Sequence, residues 1–413
     1  MRHWRSTPIR ASCSVHCTDS NVSQTLAPSV HRSRCACLVT LRTMGAIASR
    51  WSDTALPQCR MNVPSIHSVV GALPPYFADQ DALITAFRKL WAKEHFNVER
   101  IEELHRSVRV GGRFLALPLE EYEALNTFRA RNDAWLRVAV ALGETAVRRA
   151  LDDASLAPGD VDHVFFVTVT GLATPSVDAR LVNRLGLRED VKRTPIFGLG
   201  CVAGAAGIAR VSDYLRAYPK ETALLLSVEL CSLTLQRDDV SIANVIASGL
   251  FGDGAAAVVM RGADVARTGG PRVLATRSVF YPDSERIMGW DFVDSGFKVV
   301  LSAKVPELVT ANIRGNVDAF LDAHGLDRSR IAHWVAHTGG PKVLQAFERA
   351  LELPESALRR SWASLKEVGN LSSASVLFVL SELQCSGDAR PGEYGVLMAM
   401  GPGFCAELVL LQW

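Results

Sequence analysis

The stretch FGLGCVAGAAGIAR, Phe197 to Arg210, sets one cysteine, Cys201, between glycines and a run of small residues. A thiol is a weak nucleophile until it ionises. The unpaired N–H groups and dipole of a helix N-terminus favour the anion. Gly198 and Gly200 permit a sharp strand-to-helix turn. Val202 to Gly207 are small enough to let that helix lie close to other backbone. The pattern suits an exposed, activated nucleophile. It equally suits a buried cysteine in a tightly packed helix.

Two further residues bear on that choice. WVAHTGGPK puts His337 at the end of an apolar strand, directly before a glycine turn. An imidazole there can face a cleft and, as imidazolium, lower the pKa of a neighbouring thiol. EVGNLSSASVLFVL puts Asn370 after Gly369, where a helix begins. Asn370 can cap that helix. Its neutral amide can also donate hydrogen bonds to a developing oxyanion. Cys, His and Asn on successive glycine-flanked turns form a constellation for thiol chemistry.

Alternating strand and helix signals would position these turns. Apolar residues recur at helical spacing from Gln80 to about Glu103, and a long helical region runs from Pro118 to a break near Pro158. VDHVFFVTVT and TALLLSVEL read as buried strands. A loop, GLATPSVD, and a helix near Asp178–Leu185 lie between them. RIAHWVAHTGG is a strand into a turn, PKVLQAFERAL the helix after it, and GEYGVLMAMGPGFCAELVLLQW two last strands. GLFGDGAAAVVM and AMGPGFCAELVL look like counterparts, a weak internal duplication. The reading is a layered α/β protein of two similar halves, 61–275 and 276–413, with its site between them.

Composition bounds the function. Of 413 residues 48% are apolar, and the net charge is only +2. That predicts a soluble globular protein with no nucleic-acid surface. No apolar run reaches the roughly 18–20 residues of a membrane span. Residues 1–60 differ: eight Arg, no Lys, two Asp and no Glu, with five of the nine cysteines. This segment reads as a disordered leader or an over-long start. Its composition also fits a transit peptide. A zinc site from Cys13, Cys17, Cys35 and Cys37 would lack the usual C-x₂-C pairs, and Cys59 stands apart. Four scattered cysteines after Met61 predict a reducing, cytoplasmic setting without a disulfide framework.

FGLGCVAGAAG, LFGDGAAAVVM, HTGGPKVL, GNLSSASVLFVL and GPGFCAELVLLQW together resemble the type III polyketide synthases, the chalcone and stilbene synthase family. The resemblance covers about Met61 to Trp413. It implies a thiolase-like αβαβα fold, a homodimer, and acyl-CoA and malonyl-CoA as substrates, with no metal or other cofactor. It implies that Cys201 carries the acyl group and that His337 and Asn370 hold the thioester carbonyl. Phe251 matches the aromatic gatekeeper between CoA tunnel and cavity. The family's basic residues for CoA phosphates correspond to Arg88, Lys89 and Lys93, the last two sharing a helical face. Val299 stands where plant members carry a second gatekeeper phenylalanine, and Thr174 replaces a methionine that reaches toward the partner subunit. With Val169 and Thr234, Val299 implies an open apolar cavity, hence fatty acyl starters and alkylpyrone or alkylresorcinol products.

Two other functions fit parts of this pattern. A ketoacyl-ACP synthase III uses the same Cys–His–Asn set, but the GPGF motif and the setting of Phe251 favour the polyketide enzyme. A non-catalytic thiolase-fold partner subunit would not need Cys201, His337 and Asn370 intact. The compositional break at Met61 yields a first prediction. A chain beginning at Met61 folds and keeps the full rate of malonyl-CoA turnover, measured beside the full-length chain. Insolubility or loss of turnover would make the first 60 residues part of the enzyme.

Overall fold

The structure is a computed structural model that describes residues 62–92, 97–265, 269–354 and 356–413. The readings made of residues 1–60, and that of Lys93, lie outside the described residues. The first half runs β1 (Ser65–Ala72), β2 (Tyr76–Asp79), α1 (Gln80–Trp91), α2 (Val98–Ser107), β3 (Gly112–Leu115), α3 (Phe128–Asp153), β4 (His163–Thr168), α4 (Val177–Leu185), β5 (Lys192–Phe197), α5 (Ala203–Ala217), β6 (Thr222–Leu230), α6 (Ile242–Leu250) and β7 (Asp253–Arg261). The second runs β8 (Arg272–Phe280), β9 (Met288–Val293), β10 (Gly296–Leu301), α7 (Val305–Asp322), β11 (Ile331–Ala336), α8 (Pro341–Leu351), α9 (Arg359–Val368), α10 (Ser375–Ser386), β12 (Tyr394–Gly401) and β13 (Cys405–Gln412).

The main sheet has the order β11-β12-β13-β8-β1-β7-β6-β4-β5. It repeats one pattern twice. β4 and β6 pair in parallel, β6 and β7 antiparallel, β7 and β1 antiparallel. β11 and β12, β12 and β13, β13 and β8 do the same. The helices repeat too: α3 precedes β4 as α7 precedes β11, and α5 precedes β6 as α10 precedes β12. β7 and β13 thus occupy equivalent places, as their sequences suggested. The halves join edge to edge where β1 meets β8 at Ser65 and Arg272.

Strand alternation explains the layers. Successive side chains point to opposite faces. Leu224, Leu226 and Val228 of β6 pack with α3 and α4, whereas Leu225 packs with α5. In β12, Val396 and Met398 pack with α7 and α8, whereas Leu397 and Ala399 share a core with α5 and α10. Both faces of both sheet halves are therefore covered. The order through the molecule is α3/α4, sheet, α5/α10, sheet, α7/α8, a thiolase-like αβαβα fold. Among the described residues no helix is long and apolar enough to cross a membrane.

Two sequence expectations change in detail. The helical spacing over 80–103 is realised as two helices, because Asn97 caps a new one by accepting from the Arg100 N–H at 3.0 Å. The long helix starts at Phe128 rather than Pro118. Leu119–Ala124 is a 3₁₀ turn, and Thr127 caps α3 through the Ala130 N–H at 3.1 Å.

The central layer is tight because α5 is made of small residues. A Cβ on Gly204 would collide with the Ser373 carbonyl oxygen and come within 2.8 Å of Val376 Cγ1; one on Gly207 would meet Leu225 Cδ1 at 2.6 Å. Gly204→Ala is expected to destabilise the protein by about 1–3 kcal/mol despite alanine's better helix propensity. A Tm equal to or above that of the wild type would show that the two turns are not in forced contact.

Candidate active site

The glycines around Cys201 do what their spacing implied. Gly198 has φ +98° and Gly200 φ +56°, values that side chains rarely adopt. They turn the chain from β5 into a 3₁₀ turn, Gly200–Val202, that runs directly into α5. His337 follows the last residue of β11, its N–H bonded to the Met398 carbonyl of β12 at 2.9 Å. Gly401, at the end of β12, lies so close that a Cβ would be 2.6 Å from the Val202 nitrogen. Asn370 sits between α9 and α10, after Gly369 with φ +75°. Its N–H bonds the Leu250 carbonyl at 2.9 Å, and its carbonyl accepts from Gly252 at 3.0 Å. The turn after it reaches the thiol: Cys201 Sγ is 3.7 Å from Ser372 Oγ. Ser372 holds a left-handed φ of +50°, costly for a serine.

The Asn370 side chain is oriented by its neighbours. Oδ1 accepts from the Ser372 N–H at 2.8 Å and from Ser375 Oγ at 3.3 Å. Asn370 is not the N-cap of α10, which is Ala374; its Oδ1 instead closes the turn before that helix, which leaves the amide free to donate. Oδ1 caps the turn, and Nδ2 remains a donor.

Burial governs the charges. Cys201 is 6% and His337 3% exposed. Burial pushes the thiol up to about 12 and holds the imidazole down to about 4. His337 Nδ1 is buried without a hydrogen-bond partner among the described residues. The expected resident imidazolium is thus not what this environment favours: among the described residues no carboxylate offsets the burial of the ring. Both groups prefer neutrality, so a thiolate requires its proton to pass to a base as the substrate arrives.

Glu229, a carboxylate inside the wholly buried strand β6, was not singled out from sequence. Its Oε2 accepts from the Val169 N–H at 3.0 Å and Thr170 Oγ1 at 2.9 Å; its Oε1 accepts from Ser373 Oγ. Ser373 also meets Ser227 Oγ at 2.8 Å. Burial raises Glu229 to about 7. A glutamate in an otherwise apolar strand was the available signal. The network ties β4 and β6 to the turn beneath Cys201.

A cavity of about 650 Å³ lies beside this centre. Phe251, Thr234 and Val299 line it, with Lys89 at its wall. Phe251 also forms a backbone β-bridge with Asn370, so the cavity wall adjoins the Asn370 turn at this residue. Val169 is not among the lining residues; it is buried at the end of β4, with its N–H on Glu229. Arg88 is held by Glu102 at 3.1 Å and does not line the cavity. α1 ends at Trp91, short of Lys93. The wall also carries Trp290, cross-strand partner of Val299 in the β9–β10 hairpin, so the passage beside Val299 is faced by an indole. Arg113, Tyr122, Arg131, Ser232 and Arg237 add a polar side that spacing did not reveal.

The sequence matches the chalcone and stilbene synthases, their N-terminal domain over residues 58–265 and their C-terminal domain over 272–413. It is 52% identical over 351 residues to a 1,3,6,8-tetrahydroxynaphthalene synthase of Streptomyces peucetius subsp. caesius, covering 84% of this chain and 93% of that protein. It is 36% identical over 358 residues to a putative chalcone synthase of Bacillus subtilis (strain 168), covering 84% and 98%. The crystal structure of 1,3,6,8-tetrahydroxynaphthalene synthase from Streptomyces coelicolor A3(2) superimposes with a TM-score of 0.80 at 32% identity, over 84% of this chain and 99% of that one. Neither a ketoacyl-ACP synthase nor a catalytically empty partner subunit is needed to explain the chain. With both family domains present, it belongs to the chalcone and stilbene synthase family, the type III polyketide synthases, enzymes that condense free CoA thioesters by decarboxylative Claisen chemistry.

Proposed function

We propose that Cys201 is the acyl-carrying nucleophile and that His337 and Asn370 hold the reacting thioester oxygen. The supporting geometry is the convergence of three turns, with Asn370 Nδ2 left as a donor. The thiol proton passes to His337 as sulfur attacks the starter thioester, and CoA departs with a proton. Malonyl-CoA then loses CO₂, leaving an enolate whose charge falls on its thioester oxygen. An N–H from neutral His337 and one from Asn370 stabilise it; removing one such donor costs roughly 3–4 kcal/mol of barrier. The enolate carbon attacks the acyl–Cys201 carbonyl and the thiolate leaves. Phe251 separates this centre from the cavity that receives the growing chain. Lys89, exposed at the cavity wall, is a better candidate for CoA phosphates than Arg88, which Glu102 already engages.

The starter we favour is short, malonyl-CoA itself, with closure to a polyhydroxylated aromatic. The observation that carries this is the wall facing Val299: Trp290 stands across the hairpin, and Arg113, Tyr122 and Ser232 line the same cavity. An alkyl tail there would strip polar groups of water without giving hydrogen bonds in return. The product named for the two tetrahydroxynaphthalene synthases carries no alkyl chain. A second reading, fatty acyl-CoA closing to an alkylpyrone or alkylresorcinol, draws on the apolar part of the wall: Leu83, Phe87, Leu90, Leu115 and Leu119. There each buried methylene would contribute about 0.8 kcal/mol.

A homodimer fits the exposed apolar residues Leu172, Phe197 and Phe292, the first beside Thr174 in the loop expected to reach a partner.

The starter test is a series of acyl-CoA esters from C2 to C20, with and without malonyl-CoA, read by mass spectrometry. Malonyl-CoA alone is expected to yield an aromatic product, with little gain from longer starters. A rise in kcat/KM from C6 to C12, reversed by Val299→Phe, would establish the fatty acyl reading instead. For the nucleophile, Cys201→Ala is expected to abolish acyl loading and extension, while Cys201→Gln retains malonyl-CoA decarboxylation. An acyl adduct on another cysteine, with Cys201 unmodified by intact mass, would remove Cys201 from this role.

A further inference from the structure

The cavity wall next to Phe251 carries a buried chain of polar groups that the condensation does not use. Asp253, two residues after Phe251, is fully buried. Its carboxylate accepts from the Ser232 N–H at 2.8 Å, the Ala116 N–H at 2.6 Å and Ser232 Oγ. Ser232 Oγ in turn lies 2.5 Å from the Tyr122 hydroxyl. A carboxylate only accepts, so the Ser232 hydrogen points to Asp253 and the Tyr122 hydrogen to Ser232. Tyr122 also receives the Leu117 N–H at 3.4 Å. Behind them is Arg113, 2% exposed, bonded through Nη2 to the Ser248 carbonyl. Its Nη1 is buried and has no hydrogen-bond partner among the described residues. Tyr122, Ser232 and Arg113 all line the cavity.

These groups have a use on the proposed polyketide reading, on which this step rests. Each extension leaves a carbonyl on every second carbon, and the methylene between two carbonyls is acidic. Carbon–carbon closure by aldol addition moves one proton from such a methylene to the carbonyl oxygen that becomes an alkoxide. An apolar wall could neither hold that proton nor pair those oxygens. We infer that Tyr122, Ser232 and Asp253 form a proton relay for ring closure of a poly-β-keto chain, with Arg113 as its fixed counter-charge. The methylene proton goes to Tyr122 Oη while the Tyr122 proton moves to Ser232 and the Ser232 proton to Asp253. The new carbon–carbon bond leaves an alkoxide, and the same three hops in reverse deliver a proton to it. No oxidant or other reactant is consumed. Burial raises Asp253 to about 6, within reach of both protonation states.

The test feeds malonyl-CoA to wild type, Tyr122→Phe, Ser232→Ala and Ser232→Thr. It measures total malonyl-CoA consumption, the ratio of carbon-closed aromatic to lactone or hydrolysed chain, and Tm. Tyr122→Phe and Ser232→Ala are each expected to lower that ratio by about tenfold, the worth of one neutral hydrogen bond. Malonyl-CoA is still consumed, Tm falls by no more than a few degrees, and Ser232→Thr, which keeps the hydroxyl, should restore the ratio. An unchanged ratio in either deletion overturns the relay. So does loss of consumption along with the product, because the groups would then serve condensation or folding. If the wild type consumes malonyl-CoA but makes no carbon-closed product, the relay falls and the condensation chemistry stands. If the wild type consumes none, the polyketide reading itself has failed and the relay falls with it.

Discussion

The constraint on which this molecule depends is the packing of α5 against the turn that opens α10. Two sheet halves share one central layer, and each contributes to it a helix that starts near the middle of the protein. These helix starts can meet only if one presents almost no side chain. Gly204 meets that condition, with the Ser373 carbonyl where its Cβ would be. The contact sets the Cys201 turn against the Asn370–Ser375 turn, and Gly401 of β12 closes on the Val202 backbone from the third side. The approach of the Cys201 turn to the Asn370–Ser375 turn and to the end of β12, the strand that His337 bonds, is therefore a consequence of core packing.

That packing dries the site, which has an electrostatic cost. The thiol and the imidazole are both driven toward neutrality, one up to about 12 and the other down to about 4. Neither holds a charge alone. On the proposed roles of His337 and Asn370, the gain comes when charge develops on a bound thioester oxygen, because donors already fixed in a dry site need not reorganise. Asn370 is held by its own backbone bonds to Leu250 and Gly252 and by the Ser372 cap on Oδ1. Glu229 and Ser373 brace the same turn from below. Glu229, Ser227, Ser373 and Ser375, expensive to bury alone, thus support one loop.

The parts of this arrangement carried by local chemistry could be read in the sequence. Gly198 and Gly200 flag the turn, β4 and β6 are rich in apolar residues of buried-strand type, and HTGG and VGNLSS mark the other two turns by their glycines. Signals that need pairing information could not. Val299 looks like an opening until the hairpin register sets Trp290 opposite it. The family resemblance sets Val169 on the cavity, yet it is its N–H, bonded to Glu229, that matters. The split of residues 80–103 turns on one cap, Asn97, inside a pattern that keeps helical period on both sides. The polar wall is drawn from Arg113, Tyr122, Arg131, Ser232 and Arg237, too far apart for any spacing rule to join them.

This division bears on how one fold can make different rings. The condensation centre is locked by backbone contacts across the central layer, so its geometry tolerates little change. The cavity wall is different. Its residues come mostly from α1, β3, the 3₁₀ turns at Leu119–Ala124 and after β6, α6 and the β9–β10 hairpin, elements outside the main sheet. Substitutions there leave the helix starts untouched. A keto chain differs from an alkyl chain chiefly in carrying an acceptor on every second carbon, and an acceptor buried without a donor costs about 1–3 kcal/mol. A wall with donors in one place and apolar surface in another can therefore select which oxygens are held and, through them, which carbons meet. On the proposed reading, chain building draws on the core, while the polar groups that meet the growing chain, Arg113, Tyr122 and Ser232, sit outside the main sheet.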